Sequence, residues 1–285
     1  MEYREFGKTG IKISSIGMGT YYDPAFIISR KLHLKGINRT NVEALKSGLD
    51  HGITLIDTAE LYGTEEVVKE AIKDRDRDSV FIATKAFSNH LSSYKIRKAC
   101  IRSLKNLGTD YIDLYQIHFP SHFIPVKETL MEMEKLLDEG KIRYIGISNF
   151  DLARTMDAVS QMKRYEIAST QMCYNLYDRQ LENNGILEYC KKNKMALLAY
   201  YPLAHGKLVK GVDKESTISR IVENHKGSKP VHVALNWLLS KGDNIFPIPR
   251  ASNPEHVVEN SKYDSFKLTD EELSELDNIM NDTHK

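Results

Sequence analysis

The chain has 285 residues, 41% hydrophobic and 28% charged, and its 40 Lys and Arg against 39 Asp and Glu leave a formal net charge of +1. That balance provides no field to gather nucleic acid or an anionic membrane, and no stretch approaches the about 20 apolar residues that span a bilayer. Met1-Glu2-Tyr3-Arg4 lacks the apolar core of a secretory leader, so the cytoplasm is the expected location and a monomer the default. Cys100, Cys173 and Cys190, odd in number and without C-x-x-C spacing, indicate neither a disulfide framework nor a zinc site, and no metal is expected.

Residues 3–14 read as a hairpin, Y-R-E-F and I-K-I-S joined by the turn G-K-T-G, placed to plug a barrel floor. The turn is not a phosphate loop, because Glu2 stands where that motif's first glycine belongs and no helical pattern follows. Short apolar runs bounded by polar, Gly or Pro residues then recur at 16–20, 53–58, 80–86, 111–118, 142–148, 169–175, 196–201 and 245–250. Between them, apolar residues at i, i+3 and i+4 predict helices over 41–50, 65–73, 92–106, 125–138, 151–162, 184–193 and 230–240. Eight such units predict an α/β fold, a (β/α)8 TIM barrel in a single domain over 1–285. Residues 21–38 and 202–216 are expected to form long loops at the catalytic rim. Leu268-Thr269-Asp270-Glu271-Glu272 opens an extra C-terminal helix over 268–280, capped by Thr269 or Asp270.

Parallel strands bring their C-terminal ends to one face, and Asp57, Tyr62, Lys85 and His118 lie at or just past such ends. They sit inside I-D-T-A-E-L-Y-G, A-T-K and Q-I-H-F-P. A phenol with its ordinary pKa of about 10 is a sluggish proton donor near neutrality, and a neighbouring ammonium lowers that value. Lys85, one strand from Tyr62, supplies the ammonium, and Asp57 holds it by a charge-assisted hydrogen bond. His118, one strand further round, donates to a substrate carbonyl or orients it. Singly, the four have plainer readings as a rim ion pair, a loop tyrosine, a solvated lysine and a polar cap. Lys85 also suits Schiff-base formation with a carbonyl substrate.

In order, I-D-T-A-E-L-Y-G, A-T-K, Y-I-D-L-Y-Q-I-H-F-P, G-K-I-R-Y-I-G-I-S-N-F and A-Y-Y-P-L-A resemble the successive signatures of the aldo-keto reductase family. The resemblance covers nearly the whole chain, from G-M-G-T near residue 17 to P-E-H-V-V-E-N at 254–260. It implies reversible hydride transfer between a nicotinamide and a small-molecule carbonyl or alcohol, with Tyr62 as general acid, Lys85 and Asp57 tuning it and His118 positioning the carbonyl. It implies that Ser148, Asn149 and Gln171 hold the nicotinamide amide, which needs both a donor and an acceptor, although Ser148-Asn149 ahead of a helix also reads as its N-cap. By the same resemblance Tyr200 stacks on the ring, and backbone N–H groups near Leu203 and His205 meet the pyrophosphate. Arg250 to Asn260, with Ser252, Asn253, His256 and Glu259, meets the adenosine end. Tyr21, Tyr22, Phe26, Phe87 and Phe119 are expected to line the substrate pocket.

The chain departs from the family pattern at Tyr201, where relatives often have serine, and the larger side chain is expected to reshape the pyrophosphate pocket. It departs again at Arg250-Ala251-Ser252-Asn253 with His256, where many relatives place other basic or hydroxyl residues, including an arginine at the position of His256. Arg250 with Ser252 and Asn253 suits a 2′-phosphate, which favours NADPH, with NADH as the alternative. G-M-G-T-Y-Y at 17–22 lacks the third glycine of the dinucleotide fingerprint and opens a loop. Two other functions compete: a nicotinamide-binding regulatory subunit of the same fold, and a Schiff-base lyase using Lys85.

Overall fold

The computed structural model describes residues 1–22, 36–209, 213 and 215–282. An antiparallel hairpin, β1 (Tyr3–Glu5) and β2 (Lys12–Ser14), comes first. Eight parallel strands follow: β3 (Gly17–Gly19), β4 (Leu55–Asp57), β5 (Phe81–Ala86), β6 (Ile112–Ile117), β7 (Ile142–Ser148), β8 (Ile167–Cys173), β9 (Ala196–Tyr200) and β10 (Ile245–Pro247), paired in chain order. The ring closes where Gly19 N donates to Pro249 O and Ala251 N donates to Gly19 O, both at 2.9 Å. This is the expected (β/α)8 barrel with its N-terminal hairpin.

Among the described residues the helices are α1 (Arg39–Asp50), α2 (Glu65–Ile72), α3 (Ser93–Leu107), α4 (Val126–Asp138), α5 (Leu152–Gln161), α6 (Gln180–Asn183), α7 (Ile186–Lys192), α8 (Thr217–Asn224), α9 (Pro230–Ser240), α10 (Pro254–Ser261) and α11 (Asp270–Asp282). The helix expected over 184–193 is α7, which starts after Gly185, whose φ of +83° favours glycine, and the four-residue α6 precedes it outside the expected range. Two eight-residue helices, α8 and α10, lie outside the expected set. Each has a local start signal: Ser216 accepts from Ser219 N at 3.2 Å, and Asn253 accepts from Glu255 N at 2.8 Å with Pro254 following. The extra helix α11 begins with a capping box, in which Thr269 Oγ1 accepts from Glu272 N and Glu272 Oε2 accepts from Thr269 N. Asp151, not Ser148 or Asn149, caps α5, accepting from Arg154 N at 2.8 Å. Among the described residues no helix is long and apolar enough to cross a membrane.

Alternation along the strands divides the core in two. Leu55, Phe81, Ala83, Leu114, Leu198 and Phe246 pack inside the barrel, while Ile56, Ile82, Tyr115, Ile147 and Leu197 pack outward beneath the helices. Two residues above Leu55 stands Asp57, two above Ala83 stands Lys85, and four above Leu114 stands His118. The period that fills the barrel with apolar side chains therefore delivers its polar ones to the rim.

The hairpin seals the floor through Phe6, fully buried with ring centroids 4.9 Å from Phe81 and 5.2 Å from Phe246. Gly7 follows with φ +61°, and a Cβ there would lie 2.8 Å from Ala168 O, so only glycine lets the turn seat this closely. Replacing Phe6 by Ala is expected to cost about 3–5 kcal/mol of unfolding free energy, measured by urea denaturation. A loss below about 1 kcal/mol would separate the hairpin from the cooperative core.

Candidate active site

Asp57 ends β4, Lys85 lies near the end of β5, and His118 follows β6 directly. Lys85 Nζ donates to Asp57 Oδ2 at 2.7 Å and to Thr58 O at 2.8 Å, with its side chain fully buried. Tyr62 comes from a single 3-10 turn, Glu60–Tyr62, beyond β4. Its ring centroid is 4.9 Å from Lys85 Nζ, and its hydroxyl lies 3.4 Å from His118 Nε2. All four residues are buried and meet at one end of the barrel.

The turn that carries Tyr62 is anchored by side chains that the sequence motifs alone do not single out. Thr64 Oγ1 lies 2.9 Å from Thr58 Oγ1 and 2.8 Å from Thr20 Oγ1, tying the turn to the end of β3. Glu60 accepts from Phe87 N at 2.5 Å and Arg102 Nη2 at 2.6 Å, and sits 2.8 Å from His90 Nδ1. Its buried carboxylate binds the Tyr62 turn to the loop leaving Lys85. The signal for Glu60 was its place inside I-D-T-A-E-L-Y-G; its partners lie too far away in sequence to be read from the motif.

The electrostatics differ from expectation in one respect. Burial pushes the Tyr62 phenol well above its ordinary range, and the Asp57 charge adds to the rise. The ammonium does not reverse this, because its charge is compensated by the carboxylate it touches. Burial also pushes Lys85 down, opposed by Asp57. Burial and then the Lys85 charge drive His118 from 6.5 to about 3, so the imidazole is neutral near pH 7. Tyr62 is thus a protonated phenol near neutrality, not a partly ionised one.

Gln171, near the end of β8, reaches across the mouth and donates Nε2 to Asp57 Oδ1 at 2.7 Å. Ser148 Oγ donates to Gln171 O at 3.0 Å. The Asn149 amide is engaged at both ends, donating to His118 O and accepting from Tyr200 OH, each at 2.9 Å. Past β9, Tyr201, Ala204 and His205 all have positive φ, between 48° and 56°. Backbone bonds in this turn use the N–H groups of Ala204, Gly206, Lys207 and Leu208. They leave those of Leu203 and His205 outside the turn's own bonding.

At the expected adenosine end, Arg250 is exposed and donates Nη1 to Tyr22 O at 2.8 Å. Asn253 is occupied as the α10 cap, His256 is exposed, and Ser252 is half-buried. Glu259 pairs with Lys229 and with His232 Nε2, the latter at 3.0 Å, and Asn260 is buried. Glu259 therefore ties α10 to His232 of its neighbour α9 and to Lys229 just before that helix.

Aromatic rings wall the site. Tyr21 meets Tyr62 edge-on at 5.2 Å and Tyr201 at 6.3 Å, while Tyr201 lies 5.1 Å from Tyr200 and 3.8 Å from His205. On the other side Phe119 stacks on His118 at 4.6 Å and meets Phe87 at 6.1 Å. Tyr22 is buried, with its carbonyl held by Arg250. Phe26 lies outside the described residues. Two further cavities lie elsewhere: one of 280 Å³ behind the loop after β6, lined by Pro120, Phe123 and Phe150, and one of 550 Å³ at the floor, lined by Lys8, Tyr144 and Met195.

The depressed His118 value fixes a pH dependence. Unfolding releases the imidazole to its ordinary 6.5, so between about 3 and 6.5 the unfolded chain binds more protons. The His118 contribution therefore grows as pH rises through that window and is flat above it. An NMR titration is expected to find His118 unprotonated from pH 8 down to 5, and a midpoint near 6.5 would contradict the buried, neutral assignment.

A model of the aldo/keto reductase family matches residues 35–281. The aldo-keto reductase YhdN of Bacillus subtilis is 32% identical, with 99% of this chain and 95% of that protein aligned. The methylglyoxal reductase YeaE of Escherichia coli is 35% identical over 94% of this chain and 91% of its own. Among solved structures, an aldo-keto reductase from Klebsiella pneumoniae in complex with NADPH is 34% identical, with a TM-score of 0.85 and coverage of 98% of this chain and 95% of that one. The family match and these full-length similarities, on a barrel with four buried polar residues at its rim, lead to one conclusion: the chain belongs to the aldo/keto reductase family.

Proposed function

We propose that the protein is an NADPH-dependent reductase of small-molecule aldehydes and ketones, working reversibly from a single domain, with Tyr62 as general acid. The observation that carries this reading is the contact of Tyr62 with two groups of complementary character. The neutral His118 imidazole lies 3.4 Å from its hydroxyl, and the Lys85 ammonium lies 4.9 Å from its ring centroid.

Bound NADPH supplies the hydride for the carbonyl carbon. A carbonyl oxygen seated against Tyr62 and His118 receives two donors, the phenol O–H and the imidazole Nε2–H. As negative charge grows on that oxygen it becomes more basic than a phenolate, and Tyr62 gives up its proton. The high resting pKa keeps the proton in place until then. Lys85 then faces a phenolate and stabilises it, while Asp57 and Thr58 O keep the ammonium in position. In the oxidative direction the same phenolate accepts the alcohol proton.

The cofactor assignment has independent chemical support. Gln171 and Ser148 bring hydrogen-bonding groups to the rim, and Tyr200 offers a ring beside them. The N–H groups of Leu203 and His205 suit a pyrophosphate, and Arg250 retains Nε and Nη2 for a 2′-phosphate. The Klebsiella pneumoniae relative was crystallised with NADPH, in line with this choice. Schiff-base chemistry through Lys85 is disfavoured by its complete burial and two hydrogen bonds.

Fluorescence titration with NADPH, followed by a carbonyl panel monitored by cofactor oxidation, tests the reading. Tyr62→Phe is expected to keep NADPH affinity and lose on the order of 10²–10⁴-fold in turnover; an unchanged rate would remove Tyr62 from the role. NADPH is expected to bind more tightly than NADH, and Arg250→Ala to narrow that difference. Equal or tighter NADH binding by the wild-type protein would overturn the NADPH assignment.

A further inference from the structure

The two oxygens of Asp57 serve different partners. Oδ2 accepts from Lys85 Nζ and Oδ1 accepts from Gln171 Nε2, both at 2.7 Å. Asp57, Lys85 and Gln171 are all buried, at 3%, 0% and 2% exposure, so water cannot substitute for either contact. A carboxylate only accepts hydrogen bonds, whereas a glutamine amide has a donor end and an acceptor end of nearly equal size. Turning the Gln171 amide over would set its carbonyl oxygen against a buried carboxylate oxygen, with no proton between them. That arrangement forfeits a charge-assisted bond and leaves two buried acceptors unpaired. Asp57 therefore fixes the amide with its NH2 inward and Oε1 directed away from the carboxylate.

The neighbouring groups sharpen the consequence. Both ends of the Asn149 amide are engaged by His118 O and Tyr200 OH, and the Ser148 hydroxyl proton goes to Gln171 O. Of the three side chains expected at the nicotinamide amide, Gln171 is the one whose carbonyl oxygen remains to accept. We propose that Asp57 is a positioning residue for cofactor recognition as well as the partner of Lys85. By locking Gln171 with its oxygen outward, it makes the site select a nicotinamide ring whose 3-substituent carries an N–H donor. One carboxylate thus serves both the proton donor and the reader of the hydride donor. This inference rests on the nicotinamide-dependent reading above.

The test compares binding, without turnover, of NADPH and its reduced 3-acetylpyridine analogue, in which a methyl ketone replaces the carboxamide. Wild-type protein is expected to bind the analogue about tenfold more weakly, the size of one hydrogen bond lost in a buried site. In Asp57→Asn the new side chain keeps its oxygen on Lys85 and offers NH2 to Gln171. The glutamine amide then turns over, and the preference falls to parity or reverses. Gln171→Met, which has neither donor nor acceptor, is expected to show parity. Persistence of the wild-type preference in either variant would overturn the proposal.

Gln171→Glu keeps the inference testable if Asp57→Asn does not fold. It sets a second carboxyl against Asp57 beside Lys85, Tyr62 and His118, so the pair must share a proton. NADPH affinity, relative to wild type, should then fall as pH rises; a ratio independent of pH would contradict the contact. Failure of the wild-type protein to bind either nucleotide would instead refute the nicotinamide reading itself.

Discussion

A fully desolvated ammonium held against a fully desolvated carboxylate is costly to assemble, and an apolar pair of similar volume is often no less stable. Lys85 and Asp57 are such a pair, and they sit at the foot of the candidate proton donor. Their geometry accounts for most of the site. The pair keeps a positive charge next to the Tyr62 ring without exposing it to water, helps hold His118 neutral and gives Gln171 a fixed partner. Because breaking a buried pair by removing one member typically costs about 3–5 kcal/mol, the barrel must hold both strand ends firmly. The closed ring of β3 to β10 and the Phe6 plug provide that rigidity.

Near neutrality the Tyr62 phenol is protonated and the His118 imidazole uncharged, each because burial disfavours its ionic form. An ammonium that simply acidified the phenol would discharge the donor before a substrate arrived. Because Asp57 compensates its charge, Lys85 leaves the resting phenol protonated. In the proposed reaction the ammonium is then in place beside the ring when negative charge develops there.

Much of this architecture is written in simple periodicities. Alternation of two along β4, β5 and β6 sends Leu55 and Asp57, Ala83 and Lys85, and Leu114 and His118 to the same side, so three of the four rim residues follow from strand assignment alone. Tyr62 is different. Its position just past the end of β4 was legible, but its orientation belongs to a turn whose shape depends on Thr20, Thr58, Thr64 and Glu60. The Asp57–Gln171 contact was not legible, since the residues are 114 positions apart on β4 and β8, opposite sides of the ring. Nor was the engagement of Asn149 by Tyr200 and of Arg250 by Tyr22 O, because side chains that suit a ligand equally suit the protein's own carbonyls and hydroxyls. The helices α8 and α10 escaped detection because two turns of helix present too few buried apolar positions to set a period.

What matters most is whether Lys85 acts on the phenolate of Tyr62 rather than only securing the fold. Replacing Lys85 by Met, which is apolar and of similar length, separates the two roles when carbonyl reduction is measured at saturating NADPH and cofactor affinity is determined separately. The expected variant is folded, still binds NADPH and turns over on the order of 10²-fold or more slowly. Turnover within a few-fold of wild type in such a protein would leave the ammonium without a part in the chemistry.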